Sequence, residues 1–262
     1  MVAILEGRQR TEIAEAVRVM YTAVARAPEA GFHFPVGRPA ASLLGYADEV
    51  LDDVPPAALV SFAGVACPFE AEAIGLGDTV LDIGAGAGTD TFIAATLVGQ
   101  SGRVVALDLT SAMLERLAGT ARRAGVRNIT TLLADAEAIP LPDECVDVVT
   151  SNGAINLVLD KRRAFAEVFR VLRPGGWLQL ADVILGKPVT DSCRADPRLW
   201  VECVVGATLE NGLFTLLRDA GLTDVQLVRR LDYFAASPSA DTRELASALN
   251  AQAIVLSARR PA

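Results

Sequence analysis

Histidine is almost missing from this 262-residue chain: His33 is the single one, which excludes mechanisms that need a histidine pair and any multi-histidine metal site. Cysteine is sparse as well. Cys67, Cys145, Cys193 and Cys203 show neither CxxC spacing nor the density of a disulfide scaffold, so reduced thiols are expected and a structural zinc or stapled fold is not. Positive charge is outnumbered, with 24 Lys and Arg against 32 Asp and Glu for a formal net charge of −8, and no basic block stands against it. A nucleic-acid partner is not expected, because phosphate binding needs a positive footprint. Long apolar runs are also lacking. Val2-Ala3-Ile4-Leu5 falls far short of a signal-peptide core and no later stretch reaches membrane-spanning length, so the expectation is a soluble cytoplasmic protein with no membrane partner.

What is present suits one large domain or a core with a small appended region: 52% of the residues are hydrophobic and 21% charged. From Thr11, an N-cap candidate, the segment Glu12 to Arg26 places Ile13, Val17, Met20, Tyr21 and Val24 at helical spacing. Gly and Pro between Gly31 and Phe69 break the chain into short helices and ordered loop. At Thr79 the pattern changes to apolar, β-branched runs alternating with helical stretches: Thr79–Ile83, Arg103–Leu107, Ile129–Leu133, Val146–Ser151 and Trp177–Val183. Regular βα alternation implies a parallel sheet covered on both faces. Two more runs, Val225–Leu231 and Ala253–Ala258, bring the expected strands to seven. The expected division is an N-terminal helical extension over 1–72 and a core over 73–262, with 186–212 inserted after the fifth strand as a lid. In open α/β sheets ligands sit beyond the carboxyl ends of the strands, where that insertion must emerge.

The richest local signal is Val80-Leu81-Asp82-Ile83-Gly84-Ala85-Gly86-Ala87-Gly88, a strand running into a glycine-rich turn and then a helix. Glycines there let a ligand approach the backbone, and a helix N-terminus offers unpaired N–H groups; a tight turn packed with small residues would read the same way. Neighbouring strand ends add meaning. Asp108 closes the second strand, where a carboxylate can accept from both hydroxyls of a ribose, and Asp135-Ala136-Glu137 closes the third, beside the expected adenine. The third glycine comes one residue too early for the dinucleotide fingerprint GxGxxG, and Asp82 is ill suited to face a pyrophosphate, though it can accept from an ammonium group or a bridging water.

The motifs DIGAGAG, ADAEAIP-LPD-x3-VDVV and RVLRPGGWL, with the acidic second-strand end, resemble the class I S-adenosylmethionine-dependent methyltransferases. The resemblance implies an α/β, Rossmann-like seven-stranded sheet with a reversed last strand. It also implies S-adenosyl-L-methionine as cofactor, its methionine portion over Asp82, Gly84, Ala85, Gly86 and Gly88, its ribose on Asp108, its adenine near Leu109, Asp135, Ala136 and Glu137, and Asn152 at the methyl-donor end. Over almost the whole chain FPVGRPAASLLGY, SFAGVACPF, SNGAINLVLDKRRAF and WVECVVGA, in that order, resemble the arsenite methyltransferases.

That second resemblance implies a trivalent arsenical held by thiolates, with Cys67 and Cys203 at family thiol positions. The chain departs from the pattern at residue 153, where the family typically has cysteine and this sequence has Gly153. Cys193, in the same presumed lid as Cys203, is a candidate third sulfur; glutathione or another external thiol is the alternative partner. The function expected first is therefore methyl transfer to a thiol-bound trivalent arsenical; the alternatives are methyl transfer to a small organic acceptor at S, O or C, for which Gly153 leaves room, and cofactor sensing without catalysis. The bland alternatives are a buried small hydrophobe for Cys145, a packing role for His33, and hydrophobic anchoring for Trp200 and Phe69. No metal cofactor is signalled.

Overall fold

The computed structural model of the chain describes residues 7–194 and 196–262. The seven expected strands form as β1 (Thr79–Ile83), β2 (Arg103–Asp108), β3 (Ile129–Leu133), β4 (Val146–Asn152), β5 (Leu172–Leu185), β7 (Thr223–Leu231) and β8 (Ala251–Arg259). An eighth, β6 (Thr208–Leu209), is only two residues long. It arises because the chain leaving the inserted segment returns alongside the end of β5, pairing Ile184 with Thr208 and Leu185 with Leu209. The order across the sheet is β3-β2-β1-β4-β5-β8-β7, with β6 off this path. β1 to β5 are parallel and β8 runs antiparallel between β5 and β7, the reversed last strand that the class I resemblance implied.

Every residue of β1 is buried, as befits a central parallel strand covered on both faces by helices. Pro174-Gly175-Gly176, within the RVLRPGGWL motif, lies inside β5 and does not separate it from the preceding helix. Leu172 leaves α7 (Lys161–Val171) directly into β5, and Gly175, at φ +82, takes its backbone partners from Arg260 and Pro261, which keeps the turn inside the sheet.

Two helices frame the first βαβ unit: α5 (Thr89–Leu97), whose N-cap is Gly88 at φ +102, and α6 (Ser111–Ala124), closed by Gly125 in the left-handed conformation. The first helix, α1 (Gly7–Arg26), is already running at Gly7, so Thr11 is not its cap. Its hydroxyl instead donates back to the Gly7 carbonyl at 3.4 Å. Three short helices follow, α2 (Gly37–Leu43), α3 (Asp48–Asp52) and α4 (Pro56–Leu59). The inserted segment after β5 holds α8 (Asp191–Arg194) and α9 (Pro197–Trp200); α10 (Glu210–Asp219) and α11 (Ala240–Leu249) complete the set.

One hydrophobic cluster runs from Phe34, Leu51 and Phe62 of the N-terminal segment to Ala181 and Val183 of β5 and Val204 of the insertion. A smaller one joins Ile13 of α1 to Trp200 and Val205. The N-terminal helices and the insertion thus pack together over the carboxyl ends of the strands. No helix among the described residues is long and apolar enough to cross a membrane.

Candidate functional site

A cleft of about 1140 Å³, measured out to its open mouth, lies at the strand tips. Its floor is built from three sequence-local turns. After β1, Gly84 and Gly86 stand at φ +78 and +54, conformations that side-chain-bearing residues rarely adopt. A Cβ on Gly84 would lie 2.3 Å from the Cβ of Ala154, so this turn and the one after β4 touch through the missing side chain. After β2, Asp108 accepts from the Gly86 N–H at 2.9 Å and the Thr110 N–H at 2.8 Å. Burial raises the Asp108 carboxyl against those two hydrogen bonds. After β3, Asp135 accepts from the Glu137 N–H at 2.9 Å.

Of the eleven positions expected to hold a cofactor, Gly84, Ala85, Gly86, Asp108, Leu109, Asp135, Ala136, Glu137 and Asn152 line this one cleft, and Asp82 and Gly88 stand behind it. Asp82 is 2% exposed and accepts from the Thr91 hydroxyl at 2.5 Å; burial, with the charge of Asp90 second, pushes its carboxyl up to about 8. Gly88 is set against Leu117, 2.8 Å from where its Cβ would be, and serves as the cap of α5. The Glu137 carboxylate is spoken for: it accepts from the Asp160 N–H at 2.8 Å and pairs with Arg10.

The roof comes from elsewhere in the chain. Ala14, Val17 and Tyr21 of α1 and residues 61–64 of the loop after α4 line the cleft, as do Leu157, Val158 and Leu159. Asn152 clamps this loop. Its Oδ1 accepts from the Val65 N–H at 2.8 Å, while its Nδ2 donates to the Ala66 carbonyl at 2.8 Å, to Asp90 at 2.9 Å and to the Tyr46 hydroxyl at 2.9 Å. Tyr46 in turn donates to Asp90 at 2.6 Å. Asp90, buried in the first turn of α5, is raised to about 6 by burial despite those two donors. Gly64 keeps the clamp closed, since its Cβ would fall 2.3 Å from Asn152 Nδ2.

Tyr46, Asp90, Ser61 and Arg10 are not among the site residues expected from the sequence. Asp90 had a readable signal, an acid in the first turn of the helix that follows the glycines. Tyr46 and Ser61 stand at the ends of the segments FPVGRPAASLLGY and SFAGVACPF, but nothing in those segments marks them out, and Arg10 has no signal because its partner Glu137 is distant in sequence.

The thiols do not line the cleft. Cys67, 7% exposed, sits beside Asp90 and Glu70, and burial pushes its thiol up to about 12. Cys203, 5% exposed and at φ +61, contacts the Tyr21 hydroxyl at 3.7 Å from behind; burial pushes it up to about 12 as well. Cys193 lies on α8, half-buried, packed against the Ile13 and Trp200 cluster. All four cysteines are free, and among the described residues no group of three or more His, Cys, Asp or Glu is placed to hold a metal ion. Gly153 stands at φ +67, and a Cβ there would lie 3.1 Å from Val65 Cγ1.

A methyltransferase-domain family model matches residues 75–221, more than half of the chain. The chain belongs to the methyltransferase-domain family. The cofactor of that family is S-adenosylmethionine. The chain is 30% identical to a solved arsenic(III) S-adenosylmethionine methyltransferase of Chlamydomonas reinhardtii, with a TM-score of 0.64 over 87% of this chain and 74% of that one. It is 36% identical to the arsenite methyltransferase of Halobacterium salinarum over 67% of this chain and 46% of that protein. It is 40% identical to a ubiquinone/menaquinone biosynthesis C-methyltransferase of Cronobacter sakazakii over 43% of this chain and 45% of that protein. The chain thus spans about half the length of the curated relatives it matches.

The residues present fit this cofactor. Asp108 faces the cleft at the tip of β2, the backbone turn 84–86 is bare, and the Ser61 hydroxyl is buried in the lining without a hydrogen-bond partner, a vacancy a polar ligand group can fill.

Proposed function

We propose that this methyltransferase acts on a small organic acceptor rather than on a thiol-bound arsenical. The observation that carries the reading is the separation of sulfur from the cleft: no cysteine lines it, Cys67 and Cys203 are held as buried protonated thiols, and position 153 is a left-handed glycine backed by Val65. A soft metalloid needs thiolates, and burial in apolar surroundings disfavours the thiolate.

When bound, the cofactor supplies an electrophilic methyl group on a sulfonium. The chain's own residues provide place and exclusion. Asp108 would accept from the ribose, Leu109, Asp135 and Ala136 would flank the adenine, and the 84–86 turn with Ser61 would take the methionine end. Asn152 would fix the loop 61–66 against the donor end, so that Phe62, Ala63 and Gly64 meet the acceptor. Val17, Leu157 and Val158 supply apolar wall that keeps water out, and in-line orientation is the main contribution asked of the protein.

A second reading keeps the arsenical as acceptor, with glutathione or another external thiol supplying sulfur. The likeness to the arsenic(III) methyltransferase over 87% of the chain favours it. One assay separates the two. Purified protein with arsenite, labelled S-adenosylmethionine and excess glutathione is expected to yield no methylated arsenic by mass spectrometry; formation of methylarsenical would overturn the organic-acceptor reading, and its loss in Cys203→Ala would assign the sulfur to the chain rather than to glutathione.

A further inference from the structure

Four residues of α1 form one stripe at helical spacing: Arg10, Ala14, Val17 and Tyr21. The last three line the cleft, and Arg10 ends the stripe on the Glu137 carboxylate. The helix therefore lies across the cleft as a beam, and its two ends are fixed very differently.

The C-terminal end is built in. Val24 and Ala25 are buried, Tyr21 stacks on Phe34 with centroids 6.3 Å apart, and Arg116 donates to the Ala25 carbonyl at 2.8 Å and the Ala57 carbonyl at 3.1 Å. At the other end Ile13 is the one fully buried residue of the first half of α1, packed on Trp200 and Val205. The polar tie there is Arg10 to Glu137, whose second oxygen already accepts from the Asp160 N–H. That ion pair bridges α1, the turn after β3 and the start of α7 at the edge of the cleft where the adenine is placed.

We propose that Arg10 is a positioning residue that latches α1 over the cofactor and sets how fast the nucleoside leaves. The inference rests on the reading that residues 135–137 flank the adenine. Arg10 touches Glu137 and not the reacting atoms, so its effect is on residence rather than on chemistry. The Arg10 side chain is 34% exposed and Glu137 5%, an arrangement in which salt weakens the pair by competing for the arginine while the carboxylate stays in place.

The test follows release of tritiated S-adenosylhomocysteine into an unlabelled chase from the full chain. Arg10→Met is expected to release it roughly tenfold faster, with Tm unchanged and Arg10→Lys close to the parent. Wild-type release is expected to quicken between roughly 50 and 500 mM salt, and Arg10→Met release to be flat over that range. Equal release from wild type and Arg10→Met, or the same salt dependence in both, overturns the proposal. If Arg10→Met lowers Tm, the wild-type salt dependence decides alone, and a flat one overturns it. Asp108→Ala separates this proposal from the reading beneath it: unchanged affinity in that variant means that the cofactor is not held in this cleft, whatever Arg10 does.

Discussion

The floor and the roof of the cleft are built by opposite means. The floor is local: the glycine turn, Asp108 and Asp135 each take their hydrogen bonds from backbone near their own strand tip or its neighbour, as in Gly86 to Asp108 and Glu137 to Asp135. The roof is assembled from afar, by Asn152 on Val65 and Ala66, Tyr46 on Asp90, and Arg10 on Glu137. On the proposed reading the floor addresses the cofactor and the roof meets the acceptor, and at position 153, where the family resemblance implies a cysteine, the lining carries a glycine.

The largest effect should come from striking the floor where it touches the roof. Gly84→Ala adds a Cβ in a left-handed position 2.3 Å from Ala154. It is expected to cost about 2–4 kcal/mol and to weaken S-adenosylhomocysteine more than about 100-fold, read by urea unfolding and calorimetric titration. Asn152→Ala breaks the roof alone. Loss of its bonds to Val65, Ala66 and Asp90 should cost about 2–3 kcal/mol and open the loop 61–66 to faster amide exchange, whereas unchanged exchange there would remove the clamp from the account.

A smaller contrast concerns pH. Asp82 and Asp90 are raised to about 8 and about 6 by burial, so the folded chain binds protons at these sites that the unfolded chain has released. Stability of the ligand-free protein should therefore fall as pH rises from about 4 towards 8. Asp82→Asn should flatten that decline by at least roughly 1 kcal/mol between pH 5 and 8, measured by urea titration. A parallel slope in the variant would mean that Asp82 ionises normally. A comparable cost, about 1–2 kcal/mol of strain, is expected from Gly153→Cys, with no arsenite methylation gained; a gain in arsenite turnover would return sulfur to the cleft.

The same contrast explains what could be read from residues alone. Strand positions and the residues around Asp108 follow from period, turn chemistry and a motif confined to neighbouring residues, the reversed last strand from the family resemblance, and all reappear in the structure within a few positions. β6 was not legible because two residues carry no period; it exists only because the chain returns beside β5. Within α1 the apolar face reads as a single stripe, yet Ile13 and Val24 enter the core while Val17 and Tyr21 turn to the cleft, a division set by what lies opposite. Cys67 and Cys203 read as ligand candidates because their motifs match. Their depth and their protonation depend on Asp90, Tyr21 and the rest of a packed surround that no spacing encodes.

The left-handed turn at Gly153 also constrains how such a chain can change. A side chain introduced there meets Val65 at 3.1 Å, so a lineage acquiring sulfur at this spot by single steps would trim the valine first and add the cysteine second, the reverse order passing through a less stable ancestor.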